Sequence, residues 1–299
     1  MKQLVFVHGR AQEHKDATAL KQEWIDSWDI GLRASGLSMP IDATDIHFPY
    51  YGDTLFDLAS GVSTLDTAAI IVKGRNLDRA QIDPVAREFL REVLLQTQRE
   101  RGAIAADNSD AMLADFNEKG VLNWGWVQHL LETIDRTVPF ASGTSIALAT
   151  NDVYQYLYNN ETRNFIENGV RQAFKPATPA VVVSHSLGTV VAYNMLRREG
   201  EQQGWQVPLF VTLGSPLAVS AVRKKLAPNG HPACARRWFN AFDPRDVVAL
   251  FPLDAANFPV DPEIVNKDDV NNSTSNRHGI SGYLSDPDVA REIYSALTE

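Results

Sequence analysis

A serine flanked by small residues is the first candidate for chemistry in this sequence. Ser186 lies in the segment S-H-S-L-G at residues 184–188, directly after the apolar run A-V-V-V at residues 180–183. A buried strand that ends in such a segment and leads into a helix is the context of a nucleophile elbow. Serine replaces the first glycine of the usual G-x-S-x-G pattern, which keeps the position small. The alternative is that Ser186 only caps the helix.

A nucleophilic serine needs a general base, and the base needs an acid that fixes its tautomer. His278 is the candidate base, because it follows a polar loop, precedes a terminal helix and lies downstream of both candidate acids. Those acids are Asp243 and Asp246, in the loop after the last strong strand. The alternatives are an ordinary loop histidine and aspartates that only form a polar loop. We expect His185 to pack in the elbow and His8 to fix the loop after the first strand.

Acyl transfer also requires hydrogen-bond donors for the developing oxyanion. The Leu187 N–H, at the start of the helix after Ser186, is one candidate donor. The second is expected from the Arg10 N–H, in the loop after the first strand.

Aromatic residues in two other segments are candidates for a substrate pocket, with ordinary packing as the alternative. They are Tyr50, Tyr51, Trp124 and Trp126.

Strands and helices alternate along most of the chain. Strands are predicted at residues 4–7, 45–50, 180–183, 207–213 and 237–242. Helices are predicted at residues 17–32, 151–174, 187–198, 216–226 and 286–297, the fourth with Pro216 in its first turn. This order predicts an α/β fold with a doubly wound, mostly parallel sheet.

Residues 54–139 interrupt the alternation. Their clear segments, at residues 84–101 and 120–136, have helical spacing with no strand between them. We expect a helical cap over the carboxyl edge of the sheet, inserted in a single domain that spans residues 1–299.

The segments named above resemble the α/β-hydrolase superfamily, and most closely its lipase-like and esterase-like branch. The matching segments are residues 4–9, 184–188, 213–217, 243–249 and 278–283, whereas the insertion is unmatched. The resemblance implies an α/β-hydrolase fold with the triad order Ser, Asp or Glu, His. It favours Asp246 as the acid, because D-V-V-A resembles the D-x-V-P segment of many lipase-like hydrolases. Asp243 is the alternative acid, or a turn former before Pro244.

Composition excludes several other classes of function. The net charge of −9 disfavours a nucleic-acid partner. There is no P-loop, no G-x-G-x-x-G after a strand and no H-E-x-x-H, so no metal or other cofactor is predicted. Cys234 is the only cysteine, which excludes an intramolecular disulfide and a thiolate zinc site. No apolar stretch suggests a signal peptide or membrane span, and the predicted location is cytoplasmic.

These observations predict hydrolysis of a small-molecule carboxylic ester through an acyl-enzyme on Ser186. One alternative is acyl transfer to an alcohol or amine by the same triad. The other is a non-catalytic binding protein on a hydrolase scaffold.

Overall fold

The computed structural model describes residues 2–9, 16–51, 84–100 and 143–299. They form a six-stranded sheet in which every neighbouring pair of strands is parallel. The strands in chain order are β1 (Gln3–Val7), β2 (Ile46–His47), β3 (Ala180–His185), β4 (Phe210–Leu213), β5 (Trp238–Ala241) and β6 (Val265–Lys267). The predicted α/β class and parallel sheet are confirmed.

Helices cover both faces of this sheet. They are α1 (Ala17–Ala34), α2 (Pro84–Glu100), α3 (Gly143–Tyr158), α4 (Asn160–Gln172), α5 (Leu187–Glu199), α6 (Ser220–Leu226), α7 (Ile280–Leu284) and α8 (Pro287–Thr298). Helices α1, α7 and α8 pack on one face, and α2 to α6 pack on the other. None of the helices within the described ranges has both the length and the apolar character that crossing a membrane requires.

The central strands are buried on both faces, which explains their continuous apolar sequences. In β1, Leu4 and Phe6 belong to the core beneath α1, whereas Val5 and Val7 belong to the opposite core. Alternate side chains of a strand point to opposite faces, so a strand covered by helices on both sides has no polar face.

The order of the strands places a switch point beside β1. The lateral order is β2-β1-β3-β4-β5-β6, so the chain first adds β2 on one side of β1 and then β3 on the other. Ligands of open parallel sheets bind at the carboxyl ends of the strands that flank such a point. The turn at His8 and Gly9 follows β1, and Ser186 follows β3.

Several boundaries differ from the sequence predictions. The predicted strand at 45–50 contains only the two residues of β2, and neither β6 nor α7 was predicted. The predicted helix at 151–174 is two helices, α3 and α4, and α3 begins earlier, at Gly143. The break lies at Asn159, which has an extended backbone and whose side chain accepts hydrogen bonds from Glu161 N and Thr162 N. A favoured N-cap residue therefore ends one helix and starts the next.

Pro216 does not start α6, contrary to the prediction. The helix begins at Ser220, after Val219, whose φ of −62° and ψ of 127° are not helical. Residues 216–219 form a turn instead, in which Val219 N donates to Pro216 O at 3.0 Å. Within residues 54–139, the predicted insertion, the structure describes α2, which matches the helix predicted at 84–101. The helix predicted at 120–136 lies outside the described residues.

Candidate active site

Ser186 lies in a strained turn between β3 and α5. Its φ of 54° and ψ of −127° are unusual for a residue with a side chain, and such strain concentrates at functional sites. Ser186 is the N-cap residue of α5, but its side chain makes no capping hydrogen bond. Helix capping therefore does not explain this serine.

Two glycines allow the elbow to approach the first strand. A Cβ added to Gly188 would lie 2.2 Å from Val7 O, and one added to Gly9 would lie 2.7 Å from the Ser186 Cβ. Both distances are shorter than atoms tolerate. Glycine at these positions therefore brings the turn after β1 against Ser186.

Ser186, His278 and Asp246 form a continuous hydrogen-bonded chain. The distance from Ser186 Oγ to His278 Nε2 is 2.9 Å, and the distance from His278 Nδ1 to Asp246 Oδ2 is 2.7 Å. Because a carboxylate only accepts, Nδ1 carries the proton and Nε2 is free to accept the Ser186 proton. The structure thus brings together the three residues predicted as a triad.

Asp246 is fully buried and accepts hydrogen bonds through both carboxylate oxygens. Oδ1 accepts from Val248 N at 2.8 Å, while Oδ2 accepts from His278 and from the Tyr283 hydroxyl at 2.5 Å. Burial alone would raise the pKa of Asp246, but His278 and these donors outweigh it and lower the pKa. Asp246 is therefore held as a carboxylate.

Tyr283 is a neighbour of the triad that sequence reasoning missed. It lies in α7, is fully buried, and its hydroxyl accepts from Asp243 N at 3.3 Å while donating to Asp246. Burial, followed by the nearby Asp246 charge, raises the pKa of Tyr283 well above its ordinary value. In the sequence, Tyr283 lies five residues after His278, but this spacing does not predict that its side chain contacts Asp246.

His185 supports the backbone of His278. Its Nε2 lies 2.7 Å from His278 O, and because a carbonyl only accepts, Nε2 carries the proton. Burial, with a further contribution from His278, lowers the pKa of His185 to about 3. His185 is therefore neutral, packed in the elbow as expected.

Asp243, the alternative acid, has different partners. Its carboxylate accepts from Arg245 Nε and Nη2, both at 3.0 Å, and from Asn272 N at 2.9 Å. Asn272 in turn donates through its side chain to Gly279 O at 2.8 Å. Asp243 thus anchors the loop that carries His278, and it is Asp246 that lies within hydrogen-bond distance of the His278 ring.

The turn after β1 is held by His8, as expected. Its Nδ1 donates to Gly9 O at 2.7 Å and its Nε2 accepts from Tyr51 N at 3.1 Å, which fixes a neutral tautomer. Burial, only partly offset by the Gly9 carbonyl, lowers the pKa of His8 to about 4. Tyr50 and Tyr51, two of the predicted pocket residues, pack against the His8 ring.

The predicted oxyanion donors are described only in part. Leu187 is the first residue of α5, where backbone N–H groups have no partner inside the helix and the helix dipole favours negative charge. Arg10 lies outside the described residues.

A pocket lies beside Ser186. Its described lining contains Ser186 and Thr150 and is otherwise apolar, with contributions from α2, α3, α6 and the loop after Asp246. Tyr50 and Tyr51 are not part of this lining, and the other predicted pocket residues, Trp124 and Trp126, lie outside the described residues. The mostly apolar walls, with few polar groups, are typical of a site for a small organic ligand.

Helix α2, the described part of residues 54–139, is attached to the rest of the site. Phe89 and Val93 line the pocket, and Gln96 Oε1 accepts from Ser220 N at 2.9 Å, at the start of α6. The two helices therefore form adjoining walls of the pocket.

No group of three His, Cys, Asp or Glu side chains within residues 2–9, 16–51, 84–100 and 143–299 is arranged to hold a metal ion. No protein-family model, curated protein or solved structure matches this chain.

Proposed function

We propose that this protein is a serine hydrolase of the α/β-hydrolase type that cleaves a carboxylic ester. The observation that carries the proposal is the hydrogen-bonded chain from Asp246 through His278 to Ser186, which ends at a strained turn beside an apolar pocket. A serine hydroxyl is a weak nucleophile, and an oriented neutral imidazole is the group that activates it.

The reaction has two halves. As Ser186 Oγ attacks the ester carbonyl, His278 Nε2 takes the hydroxyl proton, and Asp246 stabilises the resulting imidazolium. The tetrahedral intermediate then collapses, the bond to the alcohol breaks, and His278 gives its proton to the departing oxygen. Water, deprotonated by His278, attacks the acyl-enzyme, and release of the carboxylic acid restores the Ser186 hydroxyl.

The oxyanion is stabilised by backbone donors in this proposal. The Leu187 N–H, at the amino end of α5, is one donor, and the Arg10 N–H is the other. Each such donor contributes about 3 kcal/mol of transition-state stabilisation in comparable sites.

The insertion serves as a cap in this proposal. Phe89 and Val93 of α2 line the pocket that contains Ser186, so α2 would control which acyl chains reach the nucleophile. Acyl transfer would proceed through the same acyl-enzyme, with an alcohol or amine in place of water.

The test is turnover of p-nitrophenyl esters from acetate to palmitate by the wild-type protein and two variants. Ser186→Ala should lose at least about 10³-fold in kcat at unchanged thermal stability, because it removes the nucleophile. The matched control is Ser27→Ala, which removes a buried serine in α1 whose hydroxyl donates to Glu23 O. Full activity in Ser186→Ala, or no turnover of any ester by the wild-type protein, would contradict the proposal.

A further inference from the structure

The wall of the pocket contains the hydroxyl group of Thr150. Thr150 is 6% exposed and, apart from Ser186, contributes the only polar side chain to the described lining. It lies on α3 with Ile146, Ala149 and Val153, which share one face of the helix by their spacing. This face of α3 is therefore a wall of the pocket with a single polar position.

The Thr150 hydroxyl makes no hydrogen bond to any part of the chain that the structure describes. Threonine and serine hydroxyls in helices commonly donate to the carbonyl four residues earlier. Thr97 Oγ1 does so to Val93 O at 2.9 Å, and Ser27 Oγ does so to Glu23 O at 2.7 Å. Thr150 has no such bond to Ile146 O, so its hydroxyl keeps its full capacity to donate and accept.

An unpartnered hydroxyl in an apolar wall opposes the binding of a purely apolar chain. Such a chain would remove the Thr150 hydroxyl from water and offer no hydrogen bond in return. Valine has nearly the same shape and would line the pocket without this penalty. A ligand that places an oxygen atom next to the Thr150 hydroxyl forms a hydrogen bond with it and removes this penalty.

We propose that the preferred substrate is an ester whose apolar acyl chain carries one oxygen function, a hydroxyl or an oxo group, that hydrogen bonds to Thr150. The inference rests on the proposed function of Ser186. Because Ser186 itself lines the pocket, the acyl group bonded to its Oγ extends along the same walls. A threonine hydroxyl can donate to an oxo group and exchange either role with a hydroxyl, so both forms fit.

The experiment compares ethyl octanoate with ethyl octanoates that carry a hydroxyl or an oxo group at successive carbons beyond the second. The released acids are quantified by mass spectrometry for the wild-type protein, Thr150→Val and Thr97→Val. The wild-type kcat/KM should be about tenfold higher for one oxygenated ester than for the plain ester, as expected for one hydrogen bond. Thr150→Val should abolish this preference, and Thr97→Val, which removes a helix hydroxyl outside the described lining, should keep it.

The comparison of the hydroxyl-substituted octanoates with the oxo-substituted octanoates identifies the oxygen function, because the best substrate belongs to one of these two series. Equal rates for all esters, or a preference that survives in Thr150→Val, would overturn the inference while leaving ester hydrolysis intact. Failure to hydrolyse any of the esters, together with an unreactive Ser186, would instead refute the proposed function.

Discussion

Around Asp246 and His278 the polar side chains form hydrogen bonds with one another. The pocket beside Ser186 is mostly apolar, and the hydroxyl of Thr150 in its wall has no hydrogen-bond partner among the described residues. Asp246 accepts from two side chains and from the backbone amides of Val248 and Ala249. The Thr150 hydroxyl, in the pocket wall, forms no hydrogen bond with any residue within the described ranges. The polar groups of the first region are hydrogen-bonded within the protein, whereas the Thr150 hydroxyl of the second is the group that we propose a ligand satisfies.

The two regions also depend on different parts of the fold. The triad residues follow β3 and β5 or precede α7, so the sheet and its neighbouring turns hold them. The pocket is formed where α2, α3 and α6 meet. Substitutions in the first region should alter the chemical step, and substitutions in the second should alter the choice of substrate.

The largest effect on kcat is expected from substitution of Asp246, the proposed acid. Asp246→Asn should lower kcat at least about 10³-fold, because an amide that donates to Nδ1 leaves Nε2 protonated and unable to act as a base. Asp243→Asn should retain kcat within about tenfold and lose stability instead, since it weakens the ion pair with Arg245. Kinetics and thermal unfolding of both variants measure this. A larger kcat loss in Asp243→Asn would reverse the assignment of the acid.

The next effect is a dependence of folding stability on pH, caused by the buried histidines His8 and His185. Burial lowers the pKa of His8 to about 4 and that of His185 to about 3, so the unfolded chain binds protons below pH 6.5 that the folded protein excludes. Folding stability is therefore full above about pH 7 and falls as the pH decreases. Each histidine should contribute a loss of about 2 kcal/mol between pH 7 and pH 5.

Urea unfolding at the two pH values tests this contribution. His185→Gln, whose amide can still donate to His278 O, should lose about 2 kcal/mol less than the wild-type protein over this interval. Val222→Ala, a change in the pocket, should keep the full pH dependence. The same pH dependence in His185→Gln and the wild-type protein would show that His185 is not held neutral by the fold.

A smaller effect is expected at Tyr283. Tyr283→Phe removes a hydrogen bond from the Asp246 carboxylate, which should lower kcat about three- to tenfold. Tyr294→Phe, on α8, is the control. A kcat of Tyr283→Phe equal to that of the wild-type protein would show that the Tyr283 hydroxyl does not support the reaction.

Ser186 and the central strands could be predicted from the sequence because their signals are local. The apolar run before Ser186 and the small residues around it define a strand, a turn and a helix without reference to the rest of the chain. The order of the elements then leads to His278 and to two candidate acids, and the resemblance to lipase-like hydrolases favours Asp246. The edge strands β2 and β6 have weaker signals, since they contain only two and three residues.

The supporting contacts and the pocket could not be predicted, because they depend on tertiary packing. Tyr283 donates a hydrogen bond to Asp246, 37 residues earlier in the chain, and Thr150 and Ser186 line the same pocket from separate elements. Tyr50 and Tyr51 seemed suited to a pocket by residue type, but the structure packs them around His8. Residue type alone does not distinguish a ring that lines a cavity from one that fills it.

The central claim is that His278 and Asp246 activate Ser186 as a nucleophile, and covalent labelling by a fluorophosphonate tests it most directly. Mass spectrometry of the digested protein should find one phosphonate, on Ser186, in the wild-type protein. Labelling should be absent in Ser186→Ala, slowed at least about 10³-fold in His278→Ala and unchanged in Ser27→Ala. A wild-type protein that is not labelled, or that is labelled equally fast without His278, would contradict the claim.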